Sequence, residues 1–380
     1  MTFESDPTAR SRLQGAFAHY AKHAVLEDPL YVAITTEVAR RPDWAAMLAA
    51  APATQRQPRL WLAALHYRVL ALVDQGERPP LADYFSSAGG ALAPDAALAG
   101  HLGDFIERQR AELVDCMATR LTQTNEIGRS AVLWPVLQSL VETGGRRRIA
   151  LLDVGCSAGL NLGVDRWRYR YVDDTTGATL STMPPERDSR APEIACRVLA
   201  GARPAGAGRP EIVSRLGIDL DPMPVDDAAK MRWLRACLWP FDVERRARFD
   251  AAVAIARTQR WPLRVTTDAA GSIAEWLADV PADTVPVVIN SWVLEYFDAA
   301  LLRRHVDSLL GLVASRGVTW ISAEDPTRSR TWWPAKPESE ANGRPNATSW
   351  TVARPDGHGG VAWNLAATSH AHGRWMQWNG

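Results

Sequence analysis

The chain has 380 residues, 47% of them hydrophobic, and its 43 basic and 43 acidic side chains give a formal net charge of zero. That length fits two domains or one domain with a large extension, and so apolar a chain is not disordered. Balanced charge argues against a broad basic face for nucleic acid, and no apolar run approaches the roughly 18 residues of a membrane span. The N-terminus, MTFESDPTAR, has no apolar signal core, so a cytoplasmic location is expected. Cys116, Cys156, Cys196 and Cys237 form no CxxC pair and have no neighbouring His, which predicts buried free thiols and no metal.

The first 148 residues predict helices only, a helical N-terminal domain over 1–148. Leu13, Phe17, Tyr20 and Ala24 recur at helical spacing. Trp61 to Val73 is strongly apolar and meets Gly76, a helix stop. Phe105 to Leu121 places Phe105, Leu113, Met117 and Leu121 on or near one face. A helix from about Arg129 to Thr143 closes on Gly144 and Gly145.

The pattern changes at Ile149. IALLDV (149–154) is short, fully apolar and ends in an acid, as central parallel strands do. Strands are predicted at 212–219, 263–268, 285–290 and 318–324. Between them lie helices at Met231 to Trp239, Glu244 to Arg257, Ser272 to Leu277 and Ala299 to Val313. Such alternation predicts an α/β, doubly wound and mostly parallel sheet over 149–380. SWTVARP and GVAWNLAATS predict an antiparallel edge pair. Residues 172–210 and 325–349 interrupt the core and are rich in proline and polar residues.

One motif carries chemistry. In LLDVGCSAGLN (151–161) a strand ends in Asp153 and runs through Gly155, Ser157, Gly159 and Asn161 toward a helix. Glycine suits a first βα turn where a ligand approaches backbone closely. GxSxG departs from the dinucleotide fingerprint GxGxxG, which disfavours an NAD(P)-dependent oxidoreductase. The turn resembles the acid-x-Gly-x-Gly-x-Gly signature of class I S-adenosylmethionine (AdoMet) dependent methyltransferases, with Ser157 at the middle glycine. More widely, QTNEIGR (123–129), DVGCSAGLNLGVDRWRY (153–169), RLGIDLDP (215–222), RWLRACLWP (232–240), NSWVLEYF (290–297) and HAHGRWMQW (370–378) resemble the bacterial family called domain of unknown function 2332.

The methyltransferase resemblance implies a Rossmann-like AdoMet-binding core and these roles. Asp219, ending the strand 212–219, is the acid for the ribose hydroxyls. Asp173 or Asp174 are the alternatives. Asp268 is a candidate for the adenine amino group. Asn125, Glu126 and Arg129 lie in a segment that folds over the cofactor in such enzymes. Arg129 suits the AdoMet carboxylate because a guanidinium matches a carboxylate fork. Glu126 is a candidate ammonium acceptor or base.

Methyl transfer is an in-line displacement that needs alignment, and a base only where the acceptor must lose a proton. Base candidates are Glu324 and Asp325 at the end of strand 318–324, and His370 and His372, which on one strand would point the same way. Asn290, Ser291 and Trp292 follow strand 285–290 at the end where ligands of such sheets bind, and are expected to face the transferring methyl. Trp292, Trp332 and Trp333 are candidates for a substrate pocket. The expected activity is methyl transfer to a small-molecule acceptor, with no nucleic-acid or membrane partner. The alternatives are other AdoMet or nucleoside chemistry and a non-catalytic binding or assembly protein.

Overall fold

The structure, a computed structural model, describes residues 7–23, 28–183, 190–199, 204 and 206–379. Its helices are α1 (Pro7–His23), α2 (Pro29–Arg40), α3 (Pro42–Ala46), α4 (Pro58–Asp74), α5 (Leu98–Thr119), α6 (Ser130–Gly144), α7 (Ala228–Ala236), α8 (Val243–Gln259), α9 (Ala269–Ala278), α10 (Ala299–Arg316) and α11 (Pro326–Ser329). The strands are β1 (Arg148–Val154), β2 (Arg168–Asp173), β3 (Thr179–Met183), β4 (Glu193–Val198), β5 (Glu211–Asp219), β6 (Leu263–Val265), β7 (Val285–Ser291), β8 (Thr319–Glu324), β9 (Ala347–Pro355), β10 (Val361–His370) and β11 (Trp375–Trp378). Among the described residues no strand precedes Arg148, and no helix is long and apolar enough to cross a membrane.

Two compact units are present. One comprises Met1–Thr124 and Asp226–Ala247, the other Asn125–Val225 and Arg248–Gly380. The first unit is helical. Asp28 caps α2 by accepting from the Tyr31 N–H at 3.1 Å, with Pro29 at the first helical position. Helix α5 stops at Thr119, so Leu121 lies beyond it and is exposed, against the sequence expectation. The reason is a tertiary bond: the Leu121 carbonyl accepts from Trp233 Nε1 at 2.8 Å.

The second unit is built on an eleven-stranded sheet in the order β3-β2-β4-β11-β10-β9-β8-β7-β1-β5-β6. Six of its ten pairings are parallel: β1 with β5 and β7, β5 with β6, β7 with β8, β2 with β4, and β4 with β11. The sheet is therefore α/β, mixed and mostly parallel. The block β6-β5-β1-β7-β8 is parallel throughout, and its order reverses between β5 and β7 on either side of β1. Ligands of open α/β sheets bind at the carboxyl ends of strands at such a reversal.

Two expectations are corrected. The strand predicted over 263–268 ends at Val265, because Asp268 turns to cap α9 and accepts from the Gly271 N–H at 3.0 Å. β9 and β10 are antiparallel as expected, yet lie inside the sheet and not at its edge. The edge is supplied by β2, β3 and β4, which come from the 168–198 region. Asp173, at the end of β2, is consequently separated from β1 by six strands, whereas Asp219 ends the strand beside it.

Strand alternation gives the sheet two distinct faces. Ala150, Leu152, Val154, Val288, Trp320 and Ala353 pack with Ile273 and Trp276 of α9 and Leu302, Val306, Leu309 and Val313 of α10. The alternate residues of β1, including Asp153, point the other way. Gly217 in β5 shows how tightly the turn after β1 is seated. A Cβ there would stand 2.7 Å from both Cys156 Sγ and Leu263 Cδ2. Gly217→Ala is expected to lower stability by about 1–3 kcal/mol in urea denaturation, the usual cost of overpacking. An unchanged midpoint would show that the turn can move aside.

Candidate functional site

The turn after β1 is left-handed at three places: Gly155 (φ 71°), Ser157 (φ 51°) and Gly159 (φ 69°). For Ser157 this conformation costs on the order of 1 kcal/mol, so something must hold it. Asp219 does so, its Oδ2 accepting from the Ser157 N–H at 2.8 Å while its Oδ1 accepts from the Asp221 N–H at 3.0 Å. The Gly155 and Cys156 N–H groups donate to the Ile218 carbonyl at 2.8 and 3.2 Å. Asn125 Oδ1 accepts from the Leu160 N–H at 2.9 Å. The turn, the end of β5 and the chain before α6 thus form one constellation.

The glycines are required by the protein's own packing. A Cβ on Gly155 would stand 2.3 Å from Val293 Cγ2, and one on Gly159 would stand 2.7 Å from Leu263 Cδ2. Both also have positive φ.

Asp153 is buried at the end of β1. Its Oδ2 accepts from Asn161 Nδ2 at 3.4 Å, a long contact. Its Oδ1 and the Asn161 Oδ1 are buried without a hydrogen-bond partner among the described residues. Burial pushes the Asp153 carboxyl up to about 7, and the nearby Asp219 adds to the rise. The Asn161 amide and the Arg129 guanidinium oppose it. Arg129 is also buried. Its Nε donates to the Ala371 carbonyl at 2.8 Å, and its Nη1 to the Ser291 carbonyl and hydroxyl at 3.2 and 3.0 Å. Arg129, Asn161, Asn290, Ser291 and Trp350 are among the residues that enclose a void of about 10 Å³. That is roughly one water in size and far below the ~300–1,000 Å³ of a small-molecule pocket.

The turn carrying Arg129 is locked to the turn after β10. Glu126 accepts from the Gly128 N–H at 2.8 Å. A Cβ on Gly128 would stand 2.2 Å from the His372 carbonyl oxygen, and one on Gly373 2.0 Å from the Gly128 carbonyl oxygen. His370 ends β10 and its Nδ1 accepts from the His372 N–H at 2.9 Å. His372 sits in the turn beyond the strand, so the two rings do not project in parallel as a strand would require. Their centroids are 5.2 Å apart and the planes cross at 77°. Among the described residues no group of three His, Cys, Asp or Glu side chains could hold a metal ion.

The remaining predicted residues point elsewhere. Asn290 faces the α10 side. It donates to Ser322 Oγ at 3.0 Å and Glu324 Oε1 at 2.8 Å, and accepts from Trp320 Nε1 at 2.7 Å. Glu324 Oε1 also accepts from the Val293 and Leu294 N–H groups at 3.0 and 3.1 Å. Burial raises Glu324 to about 7, against these donors and Arg129. Trp292 has φ 55° and donates to Thr348 Oγ1 at 2.9 Å. Trp332 and Trp333 belong to the α9–α10 core, Trp333 stacked on Trp363 at 5.3 Å. Asp268 is exposed and caps α9. Ser291, at the end of β7, meets Arg129 through both its carbonyl and its hydroxyl.

The model of a family described as uncharacterized proteins conserved in bacteria (DUF2332) matches residues 14–378. The chain belongs to that family. No curated protein matches the sequence.

The raised Asp153 carboxyl has a sign that can be measured. The folded state holds this proton up to about pH 7, whereas an unfolded aspartate loses it near 3.8. The stability that the group contributes is therefore complete below about pH 4 and is lost as pH rises toward 7. Asp153→Asn removes that loss. Its melting temperature, relative to the parent protein, should rise between pH 5 and pH 8. A constant difference across that range would mean that Asp153 is ionised in the folded protein throughout.

Proposed function

We propose that this member of the family binds AdoMet at the carboxyl ends of β1 and β7 and transfers its methyl group to a small-molecule acceptor. The observation that supports this reading best is the constellation at the reversal of the parallel block. The left-handed turn 155–159 follows acid Asp153, and a second acid, Asp219, ends the neighbouring strand and touches that turn. This is the arrangement that the class I methyltransferase resemblance implies. The order of the five parallel strands, third-second-first-fourth-fifth within the block, is that of doubly wound nucleotide-binding sheets.

The residues present fit the cofactor's groups. Asp219, half-buried at the end of β5, would hold the ribose hydroxyls. Arg129 would face the carboxylate in a fork geometry. The unpartnered oxygens of Asp153 and Asn161 are acceptors suited to an ammonium. Bound AdoMet supplies an electrophilic methyl group on a sulfonium. The chain's own contribution is alignment and exclusion of water. Where the acceptor must lose a proton, Glu126 and the His370–His372 pair are the candidate bases. Asn290 and Glu324 are committed to each other, to Trp320 and to the 293–294 backbone, which suits positioning of the loop after β7.

The void of about 10 Å³ favours a second reading, in which the core is closed and serves binding or assembly without catalysis. Calorimetric titration separates the two. S-adenosylhomocysteine is expected to bind and to raise the melting temperature. Asp219→Ala should weaken it at least about tenfold, the loss of one charge-assisted bond of roughly 1.5–3 kcal/mol. Stabilisation by NAD(P) instead would redirect the reading to redox chemistry, and no response to any of these ligands would favour the closed core.

Arg129 gives a separate test. Arg129→Lys should weaken AdoMet more than decarboxylated AdoMet, because an ammonium cannot reproduce the bidentate fork. Equal losses for the two ligands would assign Arg129 to the fold alone.

A further inference from the structure

The sheet carries a second concavity at the end opposite Asp153. It lies where β1, β7 and β8 begin and β9 finishes, beside the last turn of α6, and its volume is about 210 Å³. Its apolar wall is made by Leu140, Val141, Ile149, Val285 and Val287. Arg146 and Arg354 are among the residues that line the same groove, and no Asp or Glu is.

The charges around it are unbalanced. Arg354 Nη1 donates to a neutral partner, Thr143 Oγ1, at 3.2 Å. Arg146 is exposed and has no hydrogen bond or ion pair among the described residues. The acids adjoining its lining residues in sequence are engaged, Asp356 by the His358 and Gly360 N–H groups at 2.7 and 2.8 Å. Asp283 pairs with Arg148 at 2.6 Å, and Glu142 accepts from the Gly208 N–H at 2.7 Å. An apolar trough flanked by two guanidinium groups without acids complements an anion with an apolar body. Arginine matches a planar carboxylate with two parallel N–H groups, while its aliphatic stem covers apolar surface. The volume lies below the ~300–1,000 Å³ of a drug-sized site, so the occupant is short.

We propose that this groove is a binding site for a small amphipathic carboxylate, a short acyl or aryl acid whose body lies on Leu140 and Val285 and whose carboxylate meets Arg146 and Arg354. The site lies at the other end of the strands from the turn 155–159, so it stands or falls independently of methyl transfer.

Octanoate is the probe, with octanamide as its uncharged counterpart, each titrated calorimetrically into the full chain. Octanoate is expected to bind, and octanamide at least about tenfold more weakly, since it lacks the charge-assisted pairs. Arg146→Ala and Arg354→Ala should each weaken octanoate several-fold and leave octanamide unchanged. Arg146 is exposed, so its replacement leaves the fold intact, and circular dichroism checks both variants. Added salt should weaken octanoate selectively. Equal binding of acid and amide, unchanged octanoate affinity in both variants, or no binding of octanoate at all would overturn the proposal.

Discussion

Residues 155–159 lie against three other elements at distances where an added Cβ cannot stand. Val293 from the loop after β7, Leu263 from β6, and Gly217 from β5 beneath Cys156 all close on it. This approach fixes where β1, β5 and β7 end relative to one another. It also fixes the left-handed conformation of Ser157, which Asp219 holds by its N–H. Asp219 therefore has a structural task before any ligand arrives. The same carboxylate retains lone pairs, because each of its oxygens accepts a single described bond.

Charge is the second constraint at this end of the sheet. Arg129, Asp153 and Glu324 are all buried, and burial alone would neutralise both acids. The guanidinium opposes that tendency in each. The sheet divides the work: Asp153 and Ser291 lie on the α6 side with Arg129, while Glu324 lies with Asn290 and Trp320 on the α10 side. Glu324 is surrounded by donors, whereas Asp153 has one long contact and one oxygen without a partner. Two acids with similar elevation thus differ in kind. One completes a network, and the other is left with capacity.

Much of this was legible in the sequence, for identifiable reasons. IALLDV, VPVVIN and VTWISAE are largely buried on both faces, so their mostly apolar character announces parallel strands, while IVSRLGID is buried chiefly at Leu216–Ile218. The glycine turn is legible because positive φ leaves few residue choices. The far edge of the sheet was not. β4 finds β2 and β11 through pairings distant in sequence, and a short alternating strand carries no sign of its neighbour. Asn290 and Ser291 stand out together at the end of their strand, but adjacent strand residues face opposite sides, and Ser291 is the one of the two bonded to Arg129. The Ala371 carbonyl, a further partner of Arg129, is backbone and leaves no trace in residue identity.

These constraints bear on how the site would open. The turns 126–129 and 370–373 interlock through backbone so close that neither Gly128 nor Gly373 tolerates a Cβ. Arg129 is tied across that joint to Ala371 and, beyond it, to Ser291 at the end of β7. The enclosed space holds little more than a water, so admitting a larger molecule requires these elements to part. Parting them breaks the Arg129 bonds to both carbonyls, and hydrogen bonds lost by a buried charged group cost about 1–3 kcal/mol or more. A ligand that enters must therefore bring acceptors of its own to Arg129. An anion does this best, and a carboxylate fork matches both the number and the direction of the N–H groups released. Opening and recognition are coupled through one side chain, and a neutral molecule of the same size would face the full cost of separating the turns.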